Sequence, residues 1–284
     1  MAKAHCHWRV QGYRRHGRLK TVCVFDSGVG GLSVLRALLA HLPDVRFVYL
    51  ADSGHAPYGD RSPDWVQERA HQITAGLCDA FRPDAVVVAC NTATALAIDS
   101  LRQRWPVLPF VGVEPALKPA VALSLSGQIG VMATKGTVDS ARFAALRQRL
   151  ESTHACHFHA VACRGLADAI EWDDPVAIRG LVHRYVQALR SMAPEDQSID
   201  TLVLGCTHYP FVADIIAEAA GPGMRLVDTG EPVARRTRDI LGLGSACHAR
   251  APLPKFFSTG DPSVLEGLVA RWLGLDTAAR AWTA

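Results

Sequence analysis

Asp84-Ala85-Val86-Val87-Val88-Ala89-Cys90-Asn91-Thr92 and Thr201-Leu202-Val203-Leu204-Gly205-Cys206-Thr207-His208 share one form. Each is an apolar run of strand length, then a small residue, a cysteine, and polar residues. Apolar runs without alternation belong to strands buried on both faces, as in parallel sheets. The polar residues that follow sit where such a strand hands over to a helix, the edge at which open α/β sheets carry their sites. Two such units predict two α/β halves with a cleft between them.

Outward from these runs, strand and helix patterns alternate. In the first half, strands are predicted over 21–25, 45–51, 84–89 and 109–113. Helices follow from Leu32, with Leu35, Leu38 and Leu39 on one side, then over 64–81 and 94–104. The theme restarts with strands over 128–133, 158–162, 201–204 and 225–227. Its helices fall over 139–150, 176–192 and 212–220, with a closing helix from about Pro232. Short connections between alternating elements predict parallel sheets covered by helices.

Composition is that of an ordinary globular chain: 49% hydrophobic and 20% charged over 284 residues. No apolar run approaches the roughly 18 residues of a membrane span. Residues 1–20 hold Lys3, Arg9, Arg14, Arg15, Arg18 and Lys20 and no acid, which leaves 24 basic against 27 acidic residues after them. The basic character thus lies in an N-terminal extension, and nucleic-acid binding does not follow from it. That extension lacks the apolar core of a secretion signal. Eight cysteines are scattered without a CxxC pair, which predicts free thiols in a reducing cytoplasm.

Cys90 and Cys206 are the candidates for chemistry. A helix start lowers a thiol's pKa, and a matched pair in equivalent turns is harder to assign to packing than either cysteine alone. Two bases on opposite sides of a cleft suit inversion of a stereocentre: one removes a proton from one face and the other delivers one to the opposite face. Asp26, after the first strand, falls at the same sheet edge as Cys90 and is read either as an aid to proton transfer or as a helix cap. His208, two residues past Cys206, is read as an aid to that thiol or as a cap. The turn Gly28-Val29-Gly30-Gly31 is not a dinucleotide loop. Ser33 stands in place of the third glycine, and Asp26 would repel a pyrophosphate. The backbone amides at Asn91, Thr92 and Thr207 open helices and suit a substrate carboxylate. The stretch His154, Cys156, His157, His159 and Cys163 fits no standard zinc spacing. None of the five lysines has a recognisable pyridoxal-phosphate setting.

The ordered set Asp26-Ser27-Gly28-Val29-Gly30-Gly31, Pro57-Tyr58-Gly59, Ala89-Cys90-Asn91-Thr92-Ala93, Ala133-Thr134-Lys135-Gly136-Thr137 and Gly205-Cys206-Thr207-His208-Tyr209-Pro210 resembles the motifs of the glutamate racemases. Asp228-Thr229-Gly230 with Val233-Ala234-Arg235-Arg236 resembles their C-terminal motif. The resemblance runs from about residue 22 to 240. It implies a bacterial, cytoplasmic enzyme interconverting L- and D-glutamate for peptidoglycan, with no cofactor and no metal. It implies that Cys90 deprotonates D-glutamate and Cys206 L-glutamate, that Asp26 supports Cys90, and that His208 supports Cys206. Substrate contacts are implied for Asp26, Ser27, Pro57, Tyr58, Gly59, Asn91 and Thr92, and for Thr134, Thr137, Thr207 and His208. Glu171 carries over as a further acid near the cleft, although Arg164 stands where the family pattern has proline and Asp168 interrupts the apolar run.

The implied fold is two flavodoxin-like parallel-sheet domains related by pseudo-symmetry, residues 21–115 plus 228–284 and residues 116–227, with the site between them. The implied partners are glutamate and a second copy of the chain in a homodimer, without nucleic acid or membrane. Two alternatives stay open on the residues. One is an aspartate or hydantoin racemase or a related decarboxylase of the same superfamily. The other is a non-catalytic small-molecule binding protein, against which retention of both thiols speaks.

Overall fold

The computed structural model describes residues 19–194, 197–243 and 251–283. Most of the basic extension, with Cys6, and the segment holding Cys247 lie outside the described residues. The chain begins with β1 (Thr21–Asp26), α1 (Leu32–His41), β2 (Arg46–Ala51), α2 (Pro63–Phe81), β3 (Ala85–Val88), α3 (Asn91–Arg104) and β4 (Phe110–Gly112). It then forms α4 (Leu117–Leu123), β5 (Gln128–Ala133), α5 (Lys135–Val138), α6 (Ala141–Thr153), β6 (His157–Ala162), α7 (Leu166–Glu171), α8 (Pro175–Arg190) and β7 (Thr201–Gly205). It ends with α9 (Ala213–Ala220), β8 (Arg225–Val227), α10 (Gly230–Leu241), β9 (Lys255–Ser258), α11 (Pro262–Leu273) and β10 (Ala279–Ala281).

Among the described residues all strand pairs are parallel, in two sheets of order β10-β9-β2-β1-β3-β4 and β6-β5-β7-β8. The apolar runs are buried on both faces, as their lack of alternation predicts. Along β1, Val22 and Val24 pack with Leu35 and Leu38 of α1 and Val233 of α10. Cys23 and Phe25 point the other way, into Ile73 and Leu77 of α2 and Ile98 of α3. Local signals set the helix ends. The Ser62 side chain accepts from Trp65 N with Pro63 in the first turn, and α2 stops at Arg82 in a left-handed conformation before Pro83. Asp174 caps α8 by accepting from Val176 N and Ala177 N.

The sequence reading places the eight strands of its pattern correctly and misses the end of the chain. β9, α11 and β10 return to the first sheet, where β9 pairs with β2 from Val48↔Lys255 to Ala51↔Ser258. These strands have four and three residues, too short for an apolar period. The second thiol corrects the sequence reading as well. Cys90 caps a 14-residue helix, but Thr207 opens only a short 3-10 turn (Tyr209–Val212) ahead of α9.

The strand ends place the site. β1, β2 and β3 deliver Asp26, Asp52 and Cys90; β5, β6 and β7 deliver Thr134, Cys163 and Cys206. The two sheets approach each other along these edges. Gly136 N donates to Gly59 O at 3.1 Å, Ser33 Oγ to Thr207 O at 2.7 Å, and the Thr92 and Thr134 hydroxyls lie 2.8 Å apart.

Candidate active site

Cys90 and Cys206 line one cavity, each delivered by a different sheet. The Cys90 Sγ–H donates to Ser27 Oγ at 3.5 Å and Sγ accepts from Ala93 N at 3.4 Å. Burial, and then the Asp26 carboxylate, push this thiol well above its ordinary range. Asp26 itself does not bond to Cys90. One of its oxygens accepts from Ser27 N at 2.6 Å and Ser27 Oγ at 3.2 Å; the other accepts from Gly31 N and from Thr207 Oγ1 at 3.2 Å. The direct bonds of Asp26 thus go to the glycine turn and to Thr207, and Ser27 stands between it and the thiol. Burial raises the Asp26 pKa, partly offset by His208.

Cys206 has a different neighbourhood. Its Sγ lies 3.6 Å from His208 Nδ1, and His208 Nε2 lies 2.7 Å from Glu171 Oε2. Burial alone would lower the His208 pKa. Hydrogen bonds to Cys206 and Glu171 overcome it and hold the imidazole well above its usual value. The glycine turn makes the seat for this pair. A Cβ on Gly28 would lie 2.3 Å from Glu171 Oε2, and one on Gly30 2.3 Å from His208 Nδ1.

The loop carrying Pro57, Tyr58 and Gly59 is held by a group the sequence reading did not select. Asp52, whose side chain is fully buried, accepts from Arg69 Nε at 2.8 Å and Nη2 at 2.7 Å, from Tyr58 Oη at 2.6 Å and from Thr259 Oγ1 at 2.8 Å. Burial would raise its pKa, but these donors hold it below the usual carboxylate range. The Tyr58 hydroxyl is committed to Asp52, so Tyr58 faces the cavity without it. Asp52→Ala strands the Arg69 guanidinium and is expected to cost about 3–5 kcal/mol of stability, the range for breaking a buried pair. A lower urea midpoint at unchanged slope would be the readout.

Of the residues selected from sequence, Ser27, Pro57, Tyr58, Gly59, Asn91 and Thr92 line the cavity with the thiols, as do Thr134, Glu171, Thr207 and His208. Asp26 and Thr137 stand behind it; Thr137 Oγ1 meets Thr134 Oγ1 at 3.0 Å. Asn91 Oδ1 is buried with no hydrogen-bond partner among the described residues, while its Nδ2 donates to Val113 O at 3.3 Å. Asp60, Cys163, Arg164 and Asp168 also line the cavity and were not selected. Asp52 had a legible signal, since it ends an apolar strand as Asp26 does. Among the described residues no His/Cys/Asp/Glu group could hold a metal ion, and no helix is long and apolar enough to cross a membrane.

A family model described as Asp/Glu/Hydantoin racemase matches residues 31–237. Glutamate racemase of Ralstonia pickettii is 45% identical over 89% of this chain and 88% of its own length. That of Ectopseudomonas mendocina is 43% identical over 89% and 94%. Among solved structures, a glutamate racemase isoform from Bacillus anthracis superposes with a TM-score of 0.82 at 31% identity, covering 93% of this chain and 97% of that one. Escherichia coli glutamate racemase, in complex with L-glutamate and an activator, superposes at 0.81 and 31% identity over 94% and 99%. With two parallel sheets meeting over a shared pair of thiols, and with these matches along nearly its whole folded length, the chain belongs to the Asp/Glu/hydantoin racemase family.

Proposed function

We propose that this protein is a glutamate racemase that works without a cofactor, exchanging the α-proton between Cys90 and Cys206. The observation that carries the reading is the delivery of two thiols, with unlike partners, to one cavity. A Cys206 thiolate, with protonated His208 as its counter-charge and Glu171 orienting the imidazole, removes the α-proton of L-glutamate. The Cys90 thiol delivers its proton to the opposite face. The products are D-glutamate, a Cys206 thiol and a Cys90 thiolate; the reverse reaction swaps the roles. Ser27 and Asp26 form the hydrogen-bonded route by which Cys90 regains a proton. The start of α3 suits the α-carboxylate, and the unpartnered Asn91 Oδ1 is an acceptor for the ammonium group.

The domains are residues 21–115 with 228–284, and residues 116–227. The enzyme serves peptidoglycan synthesis in the cytoplasm as a homodimer, the setting that the resemblance of its motifs to those of the glutamate racemases implies.

Incubation with L-glutamate in D₂O and no added cofactor tests the reaction. Loss of optical rotation together with α-deuterium is expected. Exchange confined to aspartate or a hydantoin would move the protein to another substrate, and no exchange with any of them would overturn the reading. Glu171→Gln removes an interaction that raises the His208 pKa, so the imidazolium should be lost at lower pH. The alkaline limb of kcat/KM is expected to move toward neutrality, and an unmoved limb would contradict the Cys206–His208–Glu171 arrangement.

A further inference from the structure

The cavity has a volume of about 40 Å³, space for a few waters rather than an amino acid. Substrate must therefore come in with a parting of the two sheet edges. Among the described residues that line the cavity, one ion pair joins the two sheets' edges: Arg164 Nη1, at the β6–α7 turn, lies 2.8 Å from Asp60 Oδ1, on the loop after β2. Both residues line the cavity. Both side chains are about half exposed, 56% and 49%, and such a pair contributes little by itself.

The cavity holds few cations. Its lining includes the carboxylates of Asp60, Asp168 and Glu171 against Lys135, Arg164 and His208. His208 is committed to Glu171 and Cys206, and Lys135 is paired with Asp139, the residue that ends its own helix. Arg164 is the cation whose present partner must separate from it when the edges part. Its backbone is pinned, with N donating to Ala162 O at 3.0 Å and O accepting from Tyr185 Oη at 2.7 Å. A planar guanidinium fork on a fixed base suits a carboxylate.

We propose that Arg164 is a substrate-binding residue of this chain, exchanging its Asp60 partner for the distal carboxylate of the amino acid as the cleft opens and recloses. Asp60 then acts as the internal competitor that holds Arg164 until substrate arrives. The inference rests on the glutamate reading.

The full chain is compared with Arg164→Ala, Arg164→Lys and Asp60→Asn in two assays. One is steady-state racemisation of glutamate. The other is protection of Cys90 and Cys206 from iodoacetamide by D-glutamate, or by D-norvaline, which has the same carbon count without the distal carboxylate. Arg164→Ala is expected to raise KM and the protection constant for D-glutamate about tenfold, with kcat within about twofold, as for loss of a charge-assisted hydrogen bond. Arg164→Lys should recover part of this, and Asp60→Asn should lower both constants. Protection by D-norvaline should not respond to Arg164→Ala. Unchanged constants for D-glutamate, or an equal response for the two ligands, would overturn the proposal. So would faster alkylation of both single variants without a change in affinity, since the pair would then be a mechanical clasp only. A wild-type protein inert toward glutamate would sink the glutamate reading instead.

Discussion

Cys90→Ala and Cys206→Ala are each expected to lower kcat for glutamate racemisation by about 10²–10⁴-fold, the contribution of one positioned acid–base group. The two losses should differ in kind. With Cys206 alone, the α-proton of L-glutamate can still be removed and replaced from the same face. Cys90→Ala should therefore place deuterium on L-glutamate in D₂O with retention of configuration. Cys206→Ala should do the same to D-glutamate. Both thiols are nearly buried, at 4% and 5% exposure, and the change removes one sulfur atom each, so an unchanged circular dichroism spectrum separates lost chemistry from lost fold. A variant that keeps kcat within tenfold of wild type would remove that thiol from the mechanism.

Gly30→Ala should cost about 10²-fold in kcat although Gly30 takes no part in the chemistry. The new methyl would lie 2.3 Å from His208 Nδ1 and 2.7 Å from Thr207 Oγ1. The turn cannot readily retreat. Asp26 holds Gly31 N, and Ser33 Oγ donates to Gly30 O at 2.9 Å. The imidazole yields instead, giving up its place between Cys206 and Glu171, and a displacement near 1 Å costs about that factor. Gly267→Ala on α11 is the control. Nothing lies within 4 Å of its Cβ, so activity should stand and stability rise by up to about 1 kcal/mol. Loss of less than twofold in Gly30→Ala would mean the turn moves and the histidine does not.

Much of this was legible because local rules decide it. An apolar run without alternation followed by a small residue and a cysteine specifies a doubly buried strand and the end that faces the cleft, so Cys90 and Cys206 emerge without a structure. Contacts between distant segments were not legible. Asp52 meets Thr259 only after β9 joins β2 in the first sheet, and Arg164 meets Asp60 only after both sheets are built. Asp26 shows the same limit at short range. Its position at the sheet edge was readable, but its preference for Ser27 N and Gly31 N over the Cys90 thiol depends on how the glycine turn folds back. The closing strands escaped because four residues around Phe256 and Phe257 take their structure from the β2 edge they cover.

The late return of the chain to the first sheet bears on its synthesis. β2 receives its neighbour β9 only after residues 255–258 have been made, by which point the whole second sheet, β5 to β8, has been translated as one continuous stretch. On the ribosome the inserted unit can close while its host still presents an unpaired edge. A nascent chain stalled before β9 should accordingly show protease protection over 128–227 and cleavage near 46–51, with full-length release bringing that edge under cover.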